Sequence, residues 1–235
     1  HLGHYVGSVK RRVELQDTHD CFFLLANLHA YTTRADQPNE IHADTFEIVR
    51  DYLAMGIDPE KAAITLQSEV PAILELTFLF AMLLPFNRVM RNPTLKDEIK
   101  IKGLGDNYSF GFPLYAVGQT ADILAFRAHA VPVGEDQVPH IELTREVARR
   151  FNKLYCGIDE NIEDDDPIME EQGVFPIPKA DVGKVGRLVG TDGVQKMSKS
   201  LNNAILITDT PKKVKKKLGQ LYTGRQSMTD PGDPE

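Results

Sequence analysis

Two short, largely apolar segments constrain the fold more than any other feature of this sequence. Residues 21–26 form an unbroken apolar run, residues 62–66 are apolar except for Thr65, and residues 45–55 between them carry apolar side chains at helical spacing. The first run is consistent with a strand that is buried on both faces of a sheet, and the second segment is a further strand candidate. The order strand, helix, strand predicts an α/β fold. Residues 27–30 are expected to form the loop after the first strand, and Asp44 is a candidate cap for the helix.

Composition limits the kind of protein without identifying it. A chain of 235 residues with 42% hydrophobic residues can bury a sizeable core, and its net charge of -7 argues against a surface coated throughout for nucleic acid. Cys21 and Cys156 are the only cysteines, and they lie far apart in the sequence. They therefore predict neither a disulfide framework nor a zinc or iron–sulfur site. Two isolated cysteines fit a reducing, cytoplasmic location best. Because no apolar run is long enough to span a bilayer, we expect no membrane partner.

The start of the sequence predicts a helix without the strand that ordinarily comes before it. Val6, Val9 and Val13 recur at helical spacing, so the helix is expected to begin near Gly3. In nucleotide-binding sheets a strand normally lies immediately before such a helix. We therefore interpret the sequence as a fragment, or as a chain that lacks an ordered N-terminal segment.

The segment from Tyr115 to Phe126 predicts a helix with two different faces. One face is apolar, and the other carries Tyr115, Gln119, Asp122 and Phe126 at positions i, i+4, i+7 and i+11. An aromatic ring, an amide and a carboxylate on one stripe suit the wall of a pocket for an aromatic ligand with one hydrogen-bond donor. The alternative is that Gln119 and Asp122 merely face water.

A glycine and two carboxylates come directly after a further predicted strand at residues 129–133. They are Gly134, Glu135 and Asp136. In open α/β sheets, ligands bind at the carboxyl ends of the strands. A glycine there allows close approach of the backbone, and a carboxylate can accept hydrogen bonds from ribose hydroxyls. The plainer alternative is that Asp136 only caps the helix that follows.

Two lysines and two serines are concentrated in residues 196–200, after the glycine-bearing turn at residues 190–195. Ammonium groups and hydroxyl donors on a mobile loop suit the phosphate oxygens of a nucleoside triphosphate. A solvated surface loop would have the same composition. These residues by themselves leave both interpretations open.

Two blocks of like charge lie in the C-terminal third of the sequence. Acidic residues 159–171 lack the alternating ligands and the glycine of a calcium loop, so we interpret them as a solvated linker. Five lysines between residues 212 and 217 follow Pro211 and predict a basic helix. That helix is either a solvated face or a contact to an RNA backbone.

Two widely separated motifs resemble the signatures of class I aminoacyl-tRNA synthetases. They are His-Leu-Gly-His at residues 1–4 and Lys-Met-Ser-Lys-Ser at residues 196–200. The sequence between them resembles bacterial-type tryptophanyl-tRNA synthetases over essentially the whole chain. The segments that carry this resemblance are residues 27–30, 67–71, 115–124, 131–137 and 140–145.

The resemblance implies a Rossmann-like parallel-sheet catalytic domain with an appended, here incomplete, α-helical tRNA-binding domain. The catalytic domain would cover residues 1–190 and include the acidic linker at about 157–173. The lysine loop would cover residues 191–204, and residues 205–235 would form the start of the helical domain. The implied reaction is ATP-dependent activation of L-tryptophan to tryptophanyl-adenylate with release of pyrophosphate, followed by transfer to tRNA(Trp). The implied partners are tryptophan, ATP with its Mg²⁺, tRNA(Trp) and a second subunit in a homodimer.

The resemblance also assigns site residues, in three groups. The catalytic group comprises His1, His4, Lys196, Ser198, Lys199 and Ser200. The ATP-binding group comprises Gly3, His4, Gly134, Glu135, Asp136, Leu188, Lys196, Met197, Ser198, Lys199 and Ser200. The tryptophan-binding group comprises Asp122, as acceptor of the indole N–H, with Tyr115, Gln119, Val131, Val133, Gln137 and His29. No protein residue is assigned as a metal ligand.

The chemistry of activation explains why these residue types suffice. The carboxylate of the amino acid is already a nucleophile at neutral pH, so no general base is required. Positioning and charge stabilisation must supply most of the catalysis. In this scheme His1 and His4 stabilise the α-phosphate in the transition state, while Lys196 and Lys199 hold the departing pyrophosphate.

The sequence also departs from the family pattern. The Pro-Ser/Thr-Gly turn before the first signature is absent, and the distal helices of the tRNA domain are largely missing. Two alternatives stay open. One is a tyrosyl-tRNA synthetase, which shares the fold and both signatures but is disfavoured by residues 134–137. The other is a paralogue that binds tryptophan or a partner without charging tRNA.

Overall fold

The computed structural model describes residues 1–183, 188–195, 197–199 and 201–221. Contacts divide the chain into two compact units. One is formed by Leu15–Val182, and the other by the chain ends His1–Glu14 and Gly183–Glu235. The domain boundaries expected near residues 190 and 204 stay predictions.

Two pairs of parallel strands confirm the predicted α/β fold. Strand β1 (Cys21–Leu25) pairs with β2 (Ala62–Leu66), and β3 (Ala130–Val133) pairs with β4 (Lys179–Val182). Both pairs are parallel, as expected for strands that are joined through helices. A short 3₁₀ turn follows β2 directly, and another follows β3 after Gly134.

Helices account for most of the rest of the described chain. They are α1 (Leu2–His4), α2 (Lys10–Leu15), α3 (Asn27–Arg34), α4 (Pro38–Ala54), α5 (Pro71–Leu83), α6 (Phe86–Met90), α7 (Pro93–Ile101), α8 (Gly111–Leu124), α9 (Val138–Cys156), α10 (Pro167–Glu171) and α11 (Pro211–Leu218). Five of them begin on proline, whose fixed φ suits the first helical turn, where no intrahelical N–H partner is needed. Helix α9 ends at Gly157, which adopts the left-handed conformation with φ 71°.

Helix α8 lies at the centre of the core of the unit Leu15–Val182. It packs against both α5 and α9, and its Ala116, Ala121 and Leu124 are fully buried. Phe80 of α5 and Leu143 of α9 are buried in the same cluster. The polar stripe of α8 is therefore carried by a helix that the core holds on two sides.

Two local predictions near the first strand were wrong. Residues 27–30 form the first turn of α3, where the side chain of Gln67 accepts the N–H groups of Leu28 and His29 at 3.1 and 3.3 Å. These donors have no partner within the helix, so the Gln67 oxygen stabilises its start. Asp44 lies inside α4, which begins earlier, and its side chain accepts a hydrogen bond from Arg34 Nη1 at 2.8 Å.

Two predictions about burial were also wrong. Phe22 of β1 is 51% exposed, so this strand is not buried on both faces. The acidic segment is more than a solvated linker, because Asp164 forms ion pairs with Arg145 and Arg149 of α9. No helix of the described part of the chain is long and apolar enough to cross a membrane.

Candidate functional site

A buried carboxyl group on α8 forms the centre of the candidate site. The side chain of Asp122 is only 9% exposed, which excludes the alternative that it faces water. Its Oδ1 accepts a hydrogen bond from Gln67 Nε2 at 2.7 Å, and its Oδ2 lies 3.6 Å from His29 Nδ1. Burial raises the pKa of Asp122 to about 7, against the opposing effect of the Gln67 hydrogen bond. A group of this kind is a candidate for ligand recognition.

His29 packs beside Asp122 as an uncharged ring. Burial, and next the nearby His140, lower its pKa to about 4. Its Nε2 lies 3.2 Å from Gln67 Nε2. Space for the ring exists because residue 118 is glycine, where a Cβ atom would lie 2.7 Å from His29 Nε2. The raised pKa of Asp122 and the lowered pKa of His29 have the same cause, since both groups are removed from water.

Tyr115 and His140 complete what we call the Asp122 cluster, formed by Asp122, Gln67, His29, Tyr115 and His140. The hydroxyl of Tyr115 lies 3.4 Å from His140 Nε2, and Tyr115 also packs edge-on against His29 with ring centroids 6.0 Å apart. Burial lowers the pKa of His140, and burial raises that of Tyr115. The cluster thus surrounds one ionisable carboxyl group with uncharged rings.

The turn after β3 places its two carboxylates on the surface. Glu135 and Asp136 are exposed, and a Cβ atom at Gly134 would lie 2.8 Å from Asp136 Oδ1. Asp136 does not cap α9, because Gln137 occupies the cap position. Instead its backbone carbonyl accepts a hydrogen bond from the hydroxyl of Thr94 at 2.6 Å. The turn is held by its backbone, while its side chains face outward.

The remaining residues of the predicted tryptophan-binding group lie in the same unit. Val131 and Val133 are half-buried in β3, and Gln119 and Gln137 are half-buried as well. Gln119 Nε2 donates to Gln137 Oε1 at 3.5 Å. All seven predicted tryptophan-binding residues therefore lie in the unit Leu15–Val182.

The described residues of the two signature motifs lie together in the unit formed by the chain ends. The N–H of Leu2 donates to the carbonyl of Ile205 at 2.9 Å, and a Cβ atom at Gly3 would lie 3.6 Å from Met197 Cβ. The rings of His1 and His4 stack with centroids 4.2 Å apart. A π-helical turn, Tyr5–Val9, follows them, and such turns occur frequently at functional sites.

Asn203 connects the turn before the lysine loop to the loop itself. Its Oδ1 accepts the N–H of Ser198, and its Nδ2 donates to Asp192 Oδ2, both at 2.8 Å. The N–H of Met197 donates to the carbonyl of Leu188 at 2.9 Å. The carbonyl of Gln195 accepts the N–H of Gly190 at 2.7 Å, so the loop backbone is anchored on both sides of residue 196.

Of the two lysines in the loop, the structure describes Lys199, which is exposed. Lys196 and Ser200, both predicted site residues, lie outside the described residues. In the part of the chain that the structure describes, no group of three His, Cys, Asp or Glu side chains is arranged to hold a metal ion.

Comparison with known proteins decides the family. The family model described as tRNA synthetases class I (W and Y) matches residues 1–230. The chain belongs to this family. Its parallel strands and helices are those of the Rossmann-like α/β domain of class I tRNA synthetases.

Individual class I tRNA synthetases resemble the chain over nearly all of its length. A tryptophan–tRNA ligase of Clostridium longisporum is 44% identical over 239 residues, which cover 100% of this chain and 66% of the relative. That of Treponema pallidum is 46% identical over 225 residues, covering 95% and 62%. The crystal structure of tryptophanyl-tRNA synthetase from Campylobacter jejuni complexed with ADP and tryptophan matches with a TM-score of 0.80 at 33% identity, over 99% of this chain and 67% of that chain. The chain spans about two thirds of the length of these relatives.

Three residues of the Asp122 cluster and its surroundings were not assigned from the sequence. Gln67 directly follows β2, so the rule that ligands bind at the carboxyl ends of strands would have indicated it. Gly118 could also have been identified, since a glycine inside a helix costs about 1 kcal/mol relative to alanine and indicates a packing or functional role. No sequence feature indicated His140, because its place in the cluster depends on how α9 packs against α8.

Proposed function

We propose that this class I tRNA synthetase chain is the catalytic part of a tryptophan–tRNA ligase. It activates L-tryptophan with ATP to tryptophanyl-adenylate, releases pyrophosphate and, within the whole protein, transfers tryptophan to tRNA(Trp). The observation that carries the proposal is the buried carboxyl group of Asp122. Among the described residues, Gln67 hydrogen-bonds one of its oxygens, and the other oxygen stands beyond hydrogen-bond distance from His29.

The indole ring fits this carboxyl group chemically. Its N–H is a donor without any acceptor capacity, so a fixed acceptor is the matching partner. Phenylalanine has no such donor and would leave the buried carboxyl group unpaired, and sites of this kind reject the analogue by roughly 10⁴-fold or more. The other proposed contacts to tryptophan come from Tyr115, Gln119, Val131, Val133, Gln137 and His29.

Activation then needs a site that binds ATP and stabilises its transferring phosphate. We propose that His1 and His4 stabilise the charge on the α-phosphate and that Lys196 and Lys199, with Ser198 and Ser200, hold the pyrophosphate. The remaining ATP contacts are proposed for Gly3, Gly134, Glu135, Asp136, the backbone of Leu188, and Met197. A Cβ atom at Gly3 would lie 3.6 Å from Met197 Cβ, and this close approach supports one common site for both signature motifs.

The remaining partners follow from the same reaction. Mg²⁺ arrives with ATP and is bound mainly through the phosphates and water, which is its usual mode of binding. For tRNA(Trp), the exposed lysines of α11 offer charge for the phosphate backbone. Because protein synthesis uses the product, we propose that the protein acts in the cytoplasm.

A tryptophan titration tests the proposed substrate directly. The chain contains no tryptophan, so indole fluorescence excited at the red edge reports the ligand without protein background. We expect a saturable signal with tryptophan, no competition by tyrosine, and ATP–pyrophosphate exchange that depends on tryptophan. Exchange driven by tyrosine but not by tryptophan would establish the tyrosyl alternative. Tryptophan binding by the full-length protein without charging of tRNA would establish the paralogue.

We further propose that a second copy of the chain covers the exposed face of α5, giving a homodimer. Leu74, Phe78 and Met82 recur on one side of this helix, and the latter two are each 67% exposed. Glu75 is the only charged residue of α5. Helices that are apolar on all sides are normally buried, and exposed apolar patches mark interfaces.

A charge on this face is expected to produce a monomer. Phe78→Glu should halve the mass measured by light scattering from twice 26.3 kDa to the mass of one chain, because a carboxylate cannot be buried unpaired in an apolar interface. Phe46→Glu is the matched control, since Phe46 of α4 is 57% exposed but lies outside this face. A monomeric wild-type protein, or the same mass for both variants, would contradict the proposed interface.

A further inference from the structure

Gln67 occupies a central place in the Asp122 cluster, but the proposed function assigns it no contact with tryptophan or ATP. Its side chain is 1% exposed. Its Nε2 donates to Asp122 Oδ1 at 2.7 Å and lies 3.2 Å from His29 Nε2. Its Oε1 accepts the backbone N–H groups of Leu28 and His29. One amide thus connects the end of β2, the start of α3 and the last turn of α8.

These contacts determine which way the amide of Gln67 is oriented. Only the oxygen can accept the two backbone N–H groups at the start of α3, so the NH₂ group must face Asp122 and His29. A hydrogen bond from this NH₂ group makes His29 Nε2 an acceptor, and the ring proton is then on Nδ1. The contacts of the amide therefore fix both its own orientation and the tautomer of His29.

The same contacts distinguish the two oxygens of Asp122. Oδ1 is already bonded to Gln67, whereas Oδ2 is 3.6 Å from His29 Nδ1. A ligand donor that reaches Asp122 would therefore use Oδ2. The orientation of this oxygen depends on Gln67, because the hydrogen bond to Oδ1 restricts rotation of the carboxyl group about its last torsion.

We propose that Gln67 is a positioning and specificity-determining residue, which holds the carboxyl group of Asp122 as an oriented acceptor so that Oδ2 receives the indole N–H. The proposal rests on the proposed activation of tryptophan. Without the amide donor, Asp122 turns more readily and binds a proton more readily. A protonated carboxyl group presents an O–H that competes with the indole N–H for the same position.

The pH dependence of tryptophan binding separates this role from a purely structural one. Asp122 has a pKa of about 7, and Gln67 lowers it. The ionised form is the better acceptor, so affinity should be high above pH 7 and fall as the pH decreases through 7. The titratable group next to Asp122 is His29 of α3. Tyr115 of α8 packs against His29, and His140 of α9 acts on it electrostatically. Glu98 of α7 acts on Tyr115 and His140, and Asp136 acts on His140.

The test compares Gln67→Met with the wild-type protein. Methionine fills a similar volume but cannot donate, so we expect the Kd for tryptophan at pH 7 to rise about 10- to 100-fold, the usual loss for a hydrogen bond to a charged group. The midpoint of the pH dependence should move to higher pH. The affinity for ATP should stay unchanged, which also verifies that the variant is folded.

Gln16→Met provides the matched control. Gln16 is also a buried glutamine of this unit, and it bridges backbone groups by donating to the carbonyl of Gly56 and accepting the N–H of Asp58, both at 2.8 Å. Its contacts do not include the Asp122 cluster, so this variant should lose stability and keep the wild-type midpoint.

Four outcomes would count against these proposals. A Gln67→Met protein with wild-type midpoint and a Kd within about threefold of the wild-type value overturns the proposal, as does the same shift of midpoint in Gln16→Met. If Gln67→Met fails to fold, Gln67→Glu replaces it, because it keeps the acceptor for Leu28 and His29 but removes the donor to Asp122. We expect its affinity to be lost at pH 8, and retention of affinity there overturns the proposal. Failure of the wild-type protein to bind tryptophan would instead contradict the proposed function.

Discussion

Asp122→Asn is expected to weaken tryptophan binding by about 100-fold while making the ligand-free protein more stable at pH 8. The amide oxygen can still accept the hydrogen bond from Gln67, but the amide nitrogen then faces the indole N–H, so that two donors meet. Loss of a hydrogen bond to a charged group, together with an unpaired donor, accounts for about 2–3 kcal/mol.

The gain in stability follows from the raised pKa. The pKa of Asp122 is about 7 in the folded protein and 3.8 in the reference state, and each unit of difference corresponds to about 1.4 kcal/mol. The stability that the protonated carboxyl group contributes is fully present below pH 3.8 and is lost as the pH rises through 7. Asparagine cannot ionise, so the free energy of unfolding at pH 8 should rise by about 2–4 kcal/mol.

Both effects are measurable in one variant. Fluorescence titration gives the Kd for tryptophan, and urea denaturation followed by circular dichroism gives the free energy of unfolding at pH 8 and at pH 4. Asp97→Asn, at an exposed position of α7, is the control and should change neither quantity. Unchanged tryptophan affinity would remove Asp122 from its proposed role, and equal gains in stability at the two pH values would contradict the raised pKa.

Lys199→Ala is expected to slow adenylate formation by about 100-fold or more without changing the affinity for tryptophan. Its ammonium group is proposed to bind the pyrophosphate as charge develops in the transition state. Removing one such donor costs about 3 kcal/mol. Tryptophan is proposed to bind through the Asp122 cluster, to which Lys199 does not belong.

Single-turnover formation of adenylate, measured beside the tryptophan titration, separates the two quantities. Lys213→Ala serves as the control, because Lys213 is an exposed lysine of α11 outside both signature motifs. In the absence of tRNA it should retain the wild-type rate. An equal loss of rate and of tryptophan affinity in Lys199→Ala would refute this division of tasks.

The sequence predicted those parts of the fold that depend on local pattern. The apolar segments predicted β1 and β2. The helical pattern between them indicated a helical crossover connection, which joins two parallel strands, and β1 and β2 are parallel. The start of α3 was not predictable in this way. Its first N–H groups are accepted by Gln67, whose partner His29 lies 38 residues away in the sequence.

The candidate site, like the fold, could be predicted only where local sequence pattern determines it. Periodicity along α8 left open whether Asp122 lines a pocket or faces water, and the structure shows that its side chain is buried. The anchoring of the lysine loop by Asn203 was not evident, because it requires contacts to Asp192 and Ser198 that only the folded chain forms. The assigned roles of the site residues stay predictions until the variants above are measured.

Gly118 has a consequence for protein engineering. Replacing glycine by alanine inside a helix is a common route to higher thermal stability, with a gain of about 1 kcal/mol where the backbone permits it. At position 118 the added methyl group would collide with the ring of His29, and His29 would have to leave its place beside Asp122. A stabilised version of this protein therefore has to be designed around Gly118, which makes room for the ring of His29 beside Asp122 although it has no side chain.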